Sequence, residues 1–335
     1  MTKNIVAYVH VYMGQGRTAG GETTLHDMLR YLVAHGWTAD VVVSCPNPGQ
    51  GEYWYEGIHV IPQTDKRTIL HWVPKASVSI SHLDNAERTF FVSKKFKTPS
   101  ILLAHSDHPI IGGYLAHGPA LAVFNTEWVK AAHGYQGNCL VVHPAVEGAR
   151  YAAPKAPKDE LRVTMVNMWS YKGSEIFWEA AKRLPDVKFR CVRGGYAPQD
   201  IREGYDNVEI VDNTEDMAGV YAGASMILMP SKYESFGRIA VEGASQGVPA
   251  IVSDTLGLRE ALGDTGVYIR ADSPTEADQY VAAIKRYQNA NVRNAAGRKA
   301  LARFKTMEAR SAEELEAFRI NAEQIVELNR TMRGW

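Results

Sequence analysis

Short apolar runs alternate with amphipathic stretches along most of the chain. The first run, Ile5-Val6-Ala7-Tyr8-Val9, predicts a strand buried on both faces. After a glycine-rich segment, Leu25, Met28, Leu29, Leu32 and Val33 recur with helical spacing, and Gly36 ends the pattern. A second apolar run covers residues 39–43, which completes a strand–helix–strand unit. Further strands are expected at residues 58–61, 78–80, 101–104, 121–124 and 139–142. Residues 84–96 read as a helix with Phe90, Phe91 and Phe96 toward the core, and Asn125-Thr126-Glu127 caps a short one. Residues 46–57, rich in Pro, Gly and aromatics, predict an exposed loop.

The same rhythm resumes after Ala152-Ala153-Pro154-Lys155-Ala156-Pro157-Lys158, a segment that resists helix and makes a poor strand. It sets a linker at 151–160 between a first domain, 1–150, and a second, 161–315. Strands are expected at residues 162–166, 187–192, 208–211 and 226–229, with helices at 174–184, 215–222 and 276–287. Helical character continues to about residue 330. Phe318, Ile320, Ile325, Val326 and Leu328 give a last helix, within 316–335, an apolar surface for the first domain.

Two stretches carry candidate chemistry. Gly14-x-Gly16-x-x-Ala19 fits the dinucleotide fingerprint by letter, but Ser44 and Cys45 stand where an acid should end the second strand. A glycine loop opening a helix still suits an anion. The second stretch, Tyr233-Glu234-Ser235-Phe236-Gly237-Arg238-Ile239-Ala240-Val241-Glu242, joins a buried strand to the next helix, where ligands gather in open α/β sheets. Ser235 is the expected N-cap, with Glu242 about two turns into the helix. Two carboxylates near a helix start suit sugar or ribose hydroxyls. The plain alternative is a surface ladder of ion pairs, since Glu234, Arg238 and Glu242 are spaced i, i+4, i+8.

Glu, seven residues, Glu, with Phe-Gly inside and Gly247-Val248-Pro249 after, resembles the signature of glycosyltransferase family 4. Pro249-Ala250-Ile251-Val252-Ser253-Asp254 and Gly257-Leu258-Arg259-Glu260 extend the resemblance. It implies an α/β protein of the GT-B fold. Two Rossmann-like, doubly wound domains would face a cleft, the first binding acceptor and the second binding donor, with the C-terminal helix crossing back to the first. The implied reaction is retaining transfer of a hexose, glucose favoured, to a hydroxyl. The donor would be a nucleotide diphosphate sugar, UDP-linked by preference and GDP-linked as the other choice. It implies no cofactor and no metal, the leaving phosphate oxygen serving as base.

By position, the resemblance gives catalytic roles to His105 and Glu234, both toward the sugar. Lys172 and Arg238 would meet the diphosphate, Phe236 and Gly237 would offer backbone N–H groups, and Glu242 would take the ribose. Gly14, Gln15 and Gly16 match the loop that lines the donor site. His108 is a local rival to His105, and Asp107 a candidate to orient either ring. Asn167 departs from the pattern, standing where a basic residue is common.

Composition narrows the reading only a little. Of 335 residues, 45% are hydrophobic and 22% charged, and the formal net charge is zero, so no global attraction to nucleic acid follows. All 11 histidines lie between His10 and His143. Three scattered cysteines, Cys45, Cys139 and Cys191, read as reduced thiols. Met1-Thr2-Lys3-Asn4 runs into the first strand without a signal pattern, which points to a cytoplasmic protein, soluble or peripherally bound to a membrane. Lys94, Lys95 and Lys97 form a local basic cluster that suits an anionic surface. The acceptor stays open among a lipid-linked sugar, a small molecule, a protein and DNA carrying a hydroxymethylated base. An epimerase on the same fold and a non-catalytic nucleotide-sugar-binding module are the alternatives.

Overall fold

The apolar runs become the strands of two separate sheets. The computed structural model describes residues 3–16, 20–154, 161–195 and 197–333, with residue 333 described in its backbone alone. Ala19 of the glycine loop, with Arg17 and Thr18, and residues 155–160 of the expected linker lie outside the described residues. The chain divides into two compact units, 1–145 with 311–335, and 146–310.

The first unit holds β1 (Lys3–Val9), β2 (Trp37–Val43), β3 (Tyr53–Tyr55), β4 (Ile58–Pro62), β5 (Val78–His82), β6 (Ser100–Ala104), β7 (Leu121–Phe124) and β8 (Cys139–Val141). Its helices are α1 (Gly20–Ala34), α2 (Thr68–Trp72), α3 (Asn85–Phe96), α4 (Pro109–Ala116) and α5 (Glu127–His133). The sheet order is β3-β4-β2-β1-β5-β6-β7-β8, parallel except for the β3–β4 pair. Ile5, Ala7 and Val9 bury against α1, while Val6 and Tyr8 bury on the opposite face with Val73 and Val92. Both faces of β1 are thus covered, which is why its sequence is a continuous apolar run rather than an alternating one.

The second unit holds β9 (Arg162–Val166), β10 (Lys188–Val192), β11 (Val208–Val211), β12 (Met226–Met229), β13 (Ala250–Ser253) and β14 (Val267–Ile269). Its helices are α6 (Ser174–Arg183), α7 (Met217–Ala222), α8 (Arg238–Ser245), α9 (Leu256–Leu262) and α10 (Glu276–Gln288). The parallel order is β11-β10-β9-β12-β13-β14. The order in which strands are added switches sides between β1 and β5 in the first sheet and between β9 and β12 in the second. Loops leaving these strands are where an open α/β sheet holds a ligand.

The last helix, α11 (Ala290–Arg333), runs through residues of both units. Its distal part belongs to the first: Leu315, Phe318, Ala322, Ile325 and Val326 join the core around Ile5 and Val41. Ile320 and Leu328, expected in that contact, are 40% and 63% exposed because they fall on the other faces of the helix. Two further expectations change. Residues 46–57 are not all loop, since Tyr53-Trp54-Tyr55 pairs antiparallel with β4. Of the α3 aromatics only Phe90 is buried; Phe91 is 70% exposed, because adjacent helical positions point about 100° apart.

Truncating Phe318, which is fully buried, to Ala is expected to cost about 3–5 kcal/mol. Ile320→Ala should cost under about 1 kcal/mol. Denaturant unfolding of the two variants checks the assignment of the helix faces.

Candidate functional site

In the second unit the loop after β9 and the loop after β12 are tied together. The Tyr171 carbonyl accepts from the Lys232 backbone N–H at 3.1 Å. Gly173, at φ +87°, ends the first loop, and a Cβ there would collide with the carbonyl of Pro230. Across this seam Lys172 Nζ donates to Glu234 Oε1 at 2.6 Å. Glu234 is largely buried and Lys172 is partly exposed.

Helix α8 opens at Gly237, with no side-chain cap; Ser235 is not its N-cap as expected. The left-handed Gly237 turn replaces the cap, and the helix begins later than the sequence suggested. Glu242 is accordingly just over one turn in. It is 5% exposed, and its oxygens are met separately: Arg238 Nε donates to Oε1 at 2.7 Å and the Tyr221 hydroxyl to Oε2 at 2.6 Å. The Tyr151 hydroxyl also meets Arg238 and Glu242. Burial, reinforced by the Glu242 charge, pushes both tyrosines above their ordinary range, so both remain protonated. Arg238 and Glu242 are 9% and 6% exposed at their side chains. In place of the alternative, a surface ladder, stand two pairs: Lys172–Glu234, with the lysine partly exposed, and the enclosed Arg238–Glu242. Phe236 is 2% exposed and packs with Tyr221, Met229 and Ala240. Gly257 lets the start of α9 approach the Glu234 and Ser235 backbone.

Asn167 sits at φ +72°, a left-handed position that Asn tolerates better than long or branched residues. Its Oδ1 accepts from the Trp169 N–H at 3.2 Å and from Gln199 Nε2 at 3.0 Å. Gln199 Oε1 in turn accepts from the N–H groups of Met168 and Gly194, each at 2.8 Å. The residue that departs from the family pattern thus fastens the loops after β9 and β10. Gln199 carried no motif signal; its role comes from a contact 32 residues away in sequence.

In the first unit, the Gly14 backbone lies under Tyr53 and Tyr55, and the Tyr53 hydroxyl donates to the Met13 carbonyl at 2.6 Å. The Gln15 side chain accepts from the Tyr12 N–H at 2.9 Å and donates to Gln50 at 3.0 Å, so it is spent inside the loop. Among the described residues, none lies within 4 Å of a Cβ placed on Gly16. Where α1 begins, the position of a Cβ on Gly21 lies 3.3 Å from His82 Nδ1 and 3.7 Å from His105 Cδ2. The two imidazoles meet edge to face with centroids 5.2 Å apart. His82 Nδ1 and His105 Nε2 are buried with no hydrogen-bond partner among the described residues, so Asp107 does not hold that atom of His105. His108 caps α4 through Nδ1. His82 was missed by sequence reasoning; its signal was a histidine at the end of a strand beside the crossover.

Residues 161–289 match the model for the family "Glycosyl transferases group 1". The D-inositol 3-phosphate glycosyltransferase of Mycobacterium sp. (strain KMS) is 31% identical over 148 residues, covering 37% of this chain and 34% of the relative. The chain therefore spans about a third of the length of such curated relatives. Sucrose-phosphate synthase from Thermosynechococcus elongatus superposes with a TM-score of 0.72 at 16% identity, over 99% of this chain and all of that one. HepE from Anabaena, solved with UDP and glucose, gives 0.72 at 16% identity, over 93% and 99%.

The fold is GT-B. Within this GT-B chain the sequence-selected residues fall into groups: Lys172 with Glu234, Arg238 with Glu242, and His105 with the Gly20-Gly21 start of α1. The side chains of Gln15 and Phe236 are taken up internally.

Burial pushes His105 down to about 4, and burial with the neighbouring His105 pushes His82 down to about 3. Unfolded histidines take up protons near pH 6.5, so between there and pH 4 the unfolded chain binds more protons than the folded one. Stability is whole above about pH 6.5 and should fall with acid by about 1.4 kcal/mol per pH unit for each ring. Replacing His82 by Gln should remove about half of the contribution from this pair, read from denaturant unfolding across that range.

Proposed function

We propose that the protein is a glycosyltransferase that moves a hexose from a nucleotide diphosphate sugar to a hydroxyl acceptor. The observation that carries this reading is that the motif's Glu234, Arg238 and Glu242, with Lys172 from the loop after β9, form two close pairs beside the β9–β12 crossover. Lys172 supplies a point charge for the diphosphate and Glu234 an acceptor for sugar hydroxyls. A carboxylate has about four acceptor sites, so Glu242 keeps capacity for a ribose hydroxyl beyond Arg238, Tyr221 and Tyr151. The start of α8, with Phe236 and Gly237, offers N–H groups and a favourable dipole to phosphate oxygens. Gly14, Gln15 and Gly16 contribute backbone from the first unit, and His105 aligns the sugar.

Glucose and a UDP carrier are the favoured donor parts: HepE was solved with UDP and glucose, and the inositol-phosphate relative is a glycosyltransferase. In this reading the first unit takes the acceptor and the second the donor, in the cytoplasm. The anomeric configuration is retained, and the leaving phosphate oxygen deprotonates the acceptor on the same face. Positioning and charge stabilisation then supply the rate, without a metal. A second reading, a module that binds donor without transferring sugar, draws on Asn167. Its neutral side chain is engaged in the loop, which leaves fewer cations for the phosphates.

Release of UDP from UDP-glucose should proceed with chelator present, and proton NMR of the transferred sugar should show the donor's α-configuration. Lys172→Ala should lower kcat/KM by about 10²–10³-fold. Donor binding without release, against acceptors of lipid, protein and DNA classes, would establish the binding module instead. An inverted product would remove the retaining mechanism.

A further inference from the structure

The first unit carries a second feature that donor chemistry does not use. Helix α3 and the distal end of α11 border a groove of about 1270 Å³. One exposed face of α3 presents Phe91, Lys94 and Lys95 at i, i+3, i+4 spacing. Opposite them, Ile325, Leu328 and Met332 form a stripe along α11. Phe91 is 70% exposed, Leu328 63% and Met332 80%. Arg88, Lys94, Lys95 and Lys97 line the same groove against one carboxylate, Glu87, among the described residues.

Lys97 stands where α3 meets the groove. It ends α3 in the left-handed conformation, at φ +57°, where glycine is the usual residue. The chain accepts that backbone cost and places a cation at the rim of the groove.

We propose that this face docks the protein onto an anionic phospholipid membrane. Lysines would sit among the headgroups while Phe91, Leu328 and Met332 enter the acyl boundary. A phospholipid surface offers both chemistries at once, negative charge above apolar chains. A second copy meeting face to face would oppose lysine to lysine. Nucleic acid would answer the charge and leave the apolar side chains in water.

The test is co-sedimentation of the full chain with vesicles of phosphatidylcholine alone, or of equal parts phosphatidylcholine and phosphatidylglycerol. Binding is expected to the anionic vesicles only and to weaken with salt. Each lysine removed should lower partitioning roughly fivefold, so Lys94→Glu with Lys95→Glu should lower it at least about thirtyfold. Phe91→Ser with Leu328→Ser should also weaken binding while leaving its salt dependence in place. Lys97→Gly should keep or raise the melting temperature and still bind less, which separates docking from folding. Several results would overturn the proposal: no anionic binding at low salt, equal binding to neutral vesicles, or insensitivity to either double variant. So would self-association lost in Phe91→Ser, or DNA bound as tightly as vesicles whatever stands at 91 and 328.

Discussion

A carboxylate withdrawn from water must be answered by donors, and Glu242 imposes that condition on the second unit. Removing the cation from such a buried pair costs about 3–5 kcal/mol, so Arg238 is an obligatory companion, and the Tyr221 hydroxyl answers the second oxygen. Meeting the condition fixes much else. Arg238 must open α8, which the left-handed Gly237 allows. Tyr221 must arrive from α7, and Phe236 fills the apolar space beside it. Lys172 does the corresponding work for Glu234 from the neighbouring loop, held in place by the Gly173 turn against Pro230.

The same economy explains Asn167. Its backbone is left-handed, and its side chain is the acceptor on which Gln199 turns toward two backbone N–H groups. A basic side chain would lose that acceptor and add strain. The departure from the family pattern therefore has a cause in loop geometry. The first unit solves a different problem. His82 and His105 are held neutral by burial, each with a ring nitrogen lacking a partner among the described residues, at the start of α1. Such orphan groups are stable only while neutral, which makes this corner of the molecule sensitive to acid.

The strands were legible because each is a short apolar run covered on both faces, and the run of β1 is the plainest case. The motif from Glu234 to Glu242 was legible as a loop entering a helix. Its pairings were not. Spacing suggested Glu234 with Arg238, whereas Glu234 reaches Lys172, 62 residues earlier. Ser235 looked like a cap because capping preference is local, but the Gly237 backbone decided where α8 begins. Tyr221, Gln199 and His82 were silent for one reason: each acts through partners that topology, not periodicity, brings near. The exposure of Phe91 beside buried Phe90 was likewise invisible to composition, since it depends on which face of α3 meets the sheet.

Calorimetric titration of UDP, GDP and ADP without added metal, into the wild type and Glu242→Gln, bears most directly on the central claim that this enclosed carboxylate is part of a nucleotide diphosphate site. One nucleotide should bind the wild type and bind the variant at least about tenfold more weakly, a loss of roughly 1.4 kcal/mol, with circular dichroism showing the variant folded. Equal affinities in the two proteins would remove Glu242 from the ligand. No binding of any nucleoside diphosphate to the wild type would contradict the donor site itself.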